Sequence, residues 1–256
     1  MISRNDFVRT NYYREFSDDI IKSKNQEASV ADHYDWSINS WIGKLFEFFI
    51  RFFLKLIAVC YIKFTRISIV GVEKLTNESK FIMYGNHTQP TGDVLLPNVL
   101  SKRSSFNVIA SPANLGIPII GKLIKYGGGL PIPDSMHQMA NFNNEIIKRL
   151  KHNNFLMIYP EQHVWPYYTD IRPFSKAAFH FPVENNVESF CMTTTYQRRK
   201  FFKKPKKTVF IDGPFTVSKL ATEKEQQRYL SDEIRNCMKK RAQLSTYEYI
   251  HYKKKG

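Results

Sequence analysis

His87 and Asp93 are the residues of this chain whose types and spacing best suit chemistry. They lie in FIMYGNHTQPTGDVLLP, residues 81–97, where an apolar run ends in Gly-Asn-His and five residues separate the histidine from the aspartate. A histidine just past a strand stands at the sheet edge. An aspartate near the following helix start can reach back to one ring nitrogen. That contact would fix the tautomer and leave the other nitrogen free to take a proton. The chain has no G-x-S-x-G elbow, so the signal of a serine-nucleophile hydrolase is missing. A two-residue device is enough when the nucleophile belongs to the substrate, as an alcohol does. The same spacing also occurs at ordinary strand–turn–helix junctions, and geometry separates the two readings.

Short apolar runs alternating with helical patterns must position this pair. RISIVGV and KFIMYGN read as strands, the second ending at the His-bearing motif. VLLPNVLSK reads as a short helix bent near Pro97, and SFNVIAS as a strand. LGIPIIGKLIKYGG reads as a helix stopped by glycines, and GGLPIP as a short strand near an edge or pocket rim. SMHQMANFNNEIIKRLKHN is a helix with Ser135 as N-cap, and FLMIYPE a strand. RPFSKAAFHFPVE reads as a helix, VESFCMTTTY and KTVFIDGPF as strands, and EKEQQRYLSDEIRNCMKKRAQL as a closing helix. The alternation predicts an α/β fold with a mostly parallel central sheet flanked by helices. Ligands of such sheets bind at the carboxyl ends of the strands, where Asn86-His87, Gly129–Pro131 and Pro160-Glu161 fall.

The 256 residues carry a net charge of +15, and aromatic residues reach 14%. Basic plus aromatic suits nucleic acid or an anionic membrane surface, and a soluble basic enzyme is the plainer reading. No RNP-like, zinc-finger or helix-turn-helix pattern supports nucleic acid. Three separated cysteines without CxxC predict a reducing compartment and no disulfide framework. The polar N-terminus lacks the features of a signal peptide. Seven histidines without H-E-x-x-H leave a metal hydrolase as the weakest alternative, and no metal is expected.

WIGKLFEFFIRFFLKLIAVCYIKF, residues 41–64, is the most apolar segment. Lys44, Glu47, Arg51 and Lys55 form one helical stripe, and the other faces carry Leu45, Phe46, Phe48, Phe49, Ile50, Phe52, Phe53 and Leu54. This predicts an amphipathic helix over about 38–64, lying in a membrane interface with its basic groups at the headgroups; packing on the protein's own core is the alternative. Phe49 and Phe53 are the expected membrane contacts. A second basic-aromatic patch, RRKFFKKPKK at 198–207, adds Phe201 and Phe202, and the YKKKG tail reads as solvated charge. The expected division is an N-terminal segment, 1–64, and an α/β domain, 65–256.

Four blocks between about residues 66 and 215 resemble the glycerolipid acyltransferases, the group that includes 1-acylglycerol-3-phosphate acyltransferase. They are ISIVGVEKL with FIMYGNHTQPTGD; GKLIKYGGGLPIPDS; NNFLMIYPEQ; and FSKAAFHFPVENNVESFCMTTTY with KTVFIDGPF. The resemblance implies that His87 is the general base on an acceptor hydroxyl and that Asp93 orients it. Asn86, Gly129, Pro131, Pro160 and Glu161 would then belong to the substrate cleft. It implies acyl-CoA or acyl carrier protein as co-substrate, a lysolipid acceptor, no further cofactor, and a place on the cytoplasmic side of a membrane, peripheral or monotopic. The sequence departs from the family pattern, which has four residues between His and Asp. It also has Asp134-Ser135 and Val164 where the family carries arginines, and Met192 where it carries proline. Arg172, Lys176 and Lys125 are the expected substitutes for the missing phosphate ligands. A catalytically altered basic lipid-binding protein on the same fold is the alternative.

Overall fold

The computed structural model describes residues 8–21, 28–216 and 222–256. The polar N-terminus read against a signal peptide begins in residues 1–7, outside the described residues. The elements run β1 (Arg9–Tyr13), α1 (Trp41–Thr65), β2 (Ser68–Val70), β3 (Phe81–Gly85), α2 (Gly92–Leu95), β4 (Ser105–Ala110), α3 (Ile120–Leu123), β5 (Gly129–Pro131), α4 (Met136–Lys151), β6 (Asn154–Ile158), α5 (His180–Asn185), β7 (Ser189–Gln197), β8 (Lys206–Phe215), α6 (Glu223–Ala242) and β9 (Ile250–Lys254).

The central sheet has the order β2-β8-β7-β3-β6-β4-β5, and only the β7–β8 pairing is antiparallel. The expected mostly parallel α/β sheet is present. β3 is buried at every position and β6 at all but its first, as strands covered on both faces must be. One face packs Ile82, Tyr84, Leu156 and Ile158 against Phe142 and Ile146 of α4 and Leu230 and Ile234 of α6. The other packs Phe81, Met83, Phe155, Met157 and Val209 against Leu96, Leu100, Tyr61 and Ile62, which places α1 across it. Side chains alternate along each strand, so these two sets fix which face every later residue serves.

Three local readings differ. The single helix expected over 115–128 is broken: a 3₁₀ turn, Pro112–Gly116, is separated by Pro118 and a left-handed Ile119 from the one-turn α3. Proline lacks the amide a continuous helix needs there. The helix expected from Arg172 begins only with a 3₁₀ turn at Lys176. The C-terminal tail is not loose charge. Ile250–Lys254 pairs in parallel with β1, and the Tyr252 hydroxyl donates to the Pro166 carbonyl at 2.8 Å.

α1 starts at Ser40, whose hydroxyl accepts from the Gly43 amide at 3.0 Å. Its charged stripe does not all face outward as expected. Glu47 and Arg51 turn toward the protein, paired at 2.9 Å, and Arg51 donates to the Phe106 carbonyl at 2.5 Å. That carbonyl belongs to a sheet strand near its edge, so the guanidinium serves as a clamp. The outward face is aromatic: Trp41, Phe48, Phe49, Phe52, Phe53, Leu56, Ile57 and Phe64 are all exposed. No helix among the described residues is long and apolar enough to cross a membrane.

Candidate active site

β3 delivers His87 to the carboxyl end of the sheet, and the turn beyond it returns Asp93. His87 Nδ1 lies 2.8 Å from Asp93 Oδ2. A carboxylate only accepts, so Nδ1 carries the proton and Nε2 presents its lone pair. Among the described residues Nε2 makes no hydrogen bond. The His87 side chain is 18% exposed and that of Asp93 1%, so the ring is reachable and its partner is not. Burial pushes the Asp93 carboxyl above its ordinary value; the His87 contact and the Gln89 amide oppose this.

The fifth intervening residue is absorbed by a closed turn. The Gln89 amide donates to Asp93 Oδ2 at 2.9 Å, and the Asp93 amide donates to the Gln89 carbonyl at 3.0 Å. A Cβ on Gly92 would stand 2.3 Å from Gln89 Oε1, so a larger residue here would displace the Gln89 side chain from its bond to Thr194 Oγ1. Gly85 plays a matching part below, since a Cβ there would meet Tyr159 Cε1 at 2.6 Å. The space it leaves holds the Tyr159 ring, which stacks under His87 with centroids 4.3 Å apart. The Tyr159 hydroxyl donates to the Asp93 carbonyl at 2.5 Å, tying both ends of the pair to β6. Tyr159 escaped the sequence reading, although its place one residue before Pro160-Glu161 marked it as a strand-end residue beside the motif.

Glu161 is a buried brace. Its Oε2 accepts from the His87 amide at 3.1 Å and from the Arg172 guanidinium at 3.0 Å, and its Oε1 from the Arg172 amide at 2.9 Å. Burial pushes its carboxyl up, and the Arg172 charge opposes that. The expected role of Arg172 as a phosphate ligand is corrected here. Its side chain is fully enclosed, bonded to Glu161 and to the His163 and Phe16 carbonyls, and stacked over Trp165. No substrate group reaches it.

Other expected substrate residues are also placed elsewhere. Asn86 spends its amide on the Thr194 backbone, donating at 3.0 Å and accepting at 2.8 Å. It stitches β3 to β7. β5 lies three strands from β3, about 14 Å at ordinary strand spacing, so Gly129 and Pro131 do not border the dyad. The Pro131 carbonyl instead accepts from the Trp36 indole at 3.0 Å. Pro160 is buried, with its carbonyl taken by the Ser175 amide. Lys176 is exposed at the start of the 3₁₀ turn that packs beside α6, on the face opposite α1. Lys125 reaches the Asp35 carbonyl at 3.4 Å. The Phe49, Phe53, Phe201 and Phe202 rings are all exposed.

Cys191 and Cys237, distant in sequence, come together with Asp212 so that their ligand-type atoms lie within 4.8 Å. The Asp212 carboxylate is already held by Arg241 at 2.7 Å and Lys74 at 3.2 Å. Two cations beside it oppose a metal ion.

Residues 66–191 match the family model described as Acyltransferase, and this span contains the dyad, its glutamate brace and Tyr159. The chain carries a domain of the acyltransferase family. The solved structures that resemble it include the 1-acyl-sn-glycerophosphate acyltransferase PlsC of Thermotoga maritima. That match has 16% sequence identity and a TM-score of 0.57, and covers 76% of this chain and 80% of the other. At that identity the likeness speaks for the fold. No curated protein matches the chain. The resemblance read from the four sequence blocks is borne out at the level of family and fold. Within this acyltransferase domain, α1 packs on the sheet face that carries Phe81 and Met83 of β3, the strand that leads to the dyad.

Proposed function

We propose that the protein transfers a fatty acyl group from an acyl thioester to the hydroxyl of a lysophospholipid-like acceptor at an anionic membrane surface. The observation that carries this reading is the His87–Asp93 pair, with Nδ1 bound, Nε2 unpartnered among the described residues and the ring reachable, inside an acyltransferase domain. In the step it supports, Nε2 takes the acceptor's hydroxyl proton as the oxygen attacks the thioester carbonyl. The carbon–sulfur bond breaks, the proton passes to the departing sulfur, and an ester and a free thiol result. Asp93 stabilises the transient imidazolium, and Tyr159 and Glu161 hold the ring and backbone that present it. The fifth residue between His and Asp, which together with the missing arginines argued for an altered site, leaves the contact at 2.8 Å. Acyl-CoA and acyl carrier protein are both acidic donors suited to a basic chain. A panel of lysolipids offered with each donor tests the reading, and transfer to none of them would refute it.

The membrane part of the proposal rests on α1. Ten large apolar side chains between Trp41 and Ile57 are exposed, with Lys44, Lys55 and Lys63 beside them and a net charge of +15 overall. An unpartnered aromatic face flanked by lysines complements an anionic lipid interface. The Phe201–Phe202 loop belongs to the same side, because Arg199 reaches the Thr65 carbonyl at the end of α1 at 2.6 Å. The double variant Phe49→Asp, Phe53→Asp is expected to lose at least ten-fold in binding to phosphatidylglycerol vesicles in a sedimentation assay. Its melting temperature should barely move, since both rings are already exposed. Unchanged sedimentation would remove α1 from the interface.

A further inference from the structure

Lys207 is a half-buried cation that neither the dyad nor the core uses. It is the second residue of β8 and sits directly opposite Tyr196 of β7 in the antiparallel register. Facing residues of an antiparallel pair project from the same side of the sheet. The Tyr196 hydroxyl contacts Thr88 Oγ1 at 2.8 Å, one residue after His87. Because β8 runs against β3 and β7, its first residues lie at the carboxyl end of the parallel strands, the edge that holds the dyad. Lys207 therefore shares a face and an edge with His87.

Among the described residues no carboxylate forms an ion pair with it. Among the described residues Nζ makes one hydrogen bond, to the Tyr61 hydroxyl of α1 at 2.7 Å, and lies over that ring. An ammonium has three donors, so two are unused. Lys204 and Arg199, from the loop before β8, add like charge, while Asp93 attracts it from within electrostatic reach without forming an ion pair. Burial, with those two cations, lowers the Lys207 pKa to about 8. Partial burial of an ammonium without an ion-pair partner costs stability that a bound anion would offset.

We propose that Lys207, assisted by Arg199 and Lys204, binds a phosphate group of a substrate beside the dyad. The inference rests on the acyl-transfer reading and names the anchor that the chain uses in place of the absent arginines at 134–135 and 164. A phosphate dianion there would meet the Lys207 ammonium and the added positive charge of Arg199 and Lys204, with the reacting hydroxyl on the same sheet edge as Nε2.

The test compares wild type, Lys207→Met and Lys207→Arg. Acceptors are lysophosphatidate and monoacylglycerol; donors are acyl-CoA and the phosphate-free acyl-N-acetylcysteamine thioester. Lys207→Met should raise KM at least ten-fold for the phosphate-bearing partner alone, with kcat within about two-fold, and Lys207→Arg should recover most of the loss. A penalty that follows lysophosphatidate assigns the phosphate to the acceptor; one that follows acyl-CoA assigns it to the donor. In wild type, that KM should climb as pH rises past about 8 and Lys207 loses its proton, and the climb should vanish in Lys207→Met. The groups facing Lys207 are Asp93 of α2, Tyr61 of α1, Tyr196 of β7 and the two loop cations. Phenol ionisation at Tyr61 is pushed up to about 12, above that range. Independently of turnover, glycerol 3-phosphate should slow acetylation of Lys207 by a water-soluble acetylating reagent, followed by mass spectrometry. Equal losses on phosphate-bearing and phosphate-free substrates, or no protection, would overturn the site. Protection without transfer to any acceptor would keep the site and refute the acyl-transfer reading instead.

Discussion

Replacing His87 by alanine is expected to lower acyl transfer by about 10²–10⁴-fold, the usual contribution of a positioned general base. The fold should survive, because the contacts His87 makes through its backbone remain. Its amide still donates to Glu161, and its carbonyl still accepts from the Trp165 amide at 2.9 Å. What is lost is the one reachable proton acceptor on the Asp93 carboxylate. Asp93→Asn separates the two halves of the argument. Its amide can donate to Nδ1, which places the ring proton on Nε2 and removes the lone pair from the open side. Transfer should fall by a similar order although the ring stays in place over Tyr159. Rates at saturating acceptor, with thermal melts beside them, check both variants. Wild-type transfer by His87→Ala would remove the base.

Arg172→Ala carries the largest expected loss of stability, about 3–5 kcal/mol. The pair it breaks is wholly enclosed, at 3.0 Å, and removal of the guanidinium strands the Glu161 carboxylate without water or a counter-charge. At roughly 2–4 °C per kcal/mol for a domain of this size, the melting temperature should drop by about 6–20 °C. If Arg172 instead contacted substrate, its loss would appear in KM with little change in melting. The double variant Glu161→Met, Arg172→Met should regain much of the stability, because replacing a buried ion pair by apolar groups is often neutral. Activity should stay low, since the His87 amide then has no carboxylate to hold it. Circular dichroism melts and steady-state rates on the three proteins separate bracing from substrate binding.

The sequence was most readable where local pattern and tertiary need agree. The runs FIMYG and FLMI are free of charged and strongly polar residues because both faces of a central parallel strand are covered, and each lies in a strand. The dyad was readable because its two members lie in one short turn, closed by the Gln89 backbone. Partners joined across the sheet were not readable. Nothing local to Arg172 says that Glu161, eleven residues earlier, will claim it, and the same residue types suit a phosphate ligand equally well. Asn86 was likewise spent on Thr194, 108 positions away. Lys207 sat inside a run of seven cations in ten residues that read only as a basic-aromatic patch. Only the register opposite Tyr196 sets it apart from its neighbours. The helix at 41–64 was legible as a helix, but which of its faces turned inward depended on the Phe106 carbonyl that Arg51 caps.

The central claim is that His87 activates an acceptor's hydroxyl, so thioester cleavage must depend on that hydroxyl. Thiol release from an acyl thioester should therefore be followed with 1-acylglycerol 3-phosphate and, in parallel, with its 2-deoxy analogue on anionic vesicles. The account predicts fast release and a new ester with the hydroxyl present, and release near the protein-free rate with the analogue. Equal release with both, accompanied by free fatty acid, would show water as the nucleophile and contradict acyl transfer.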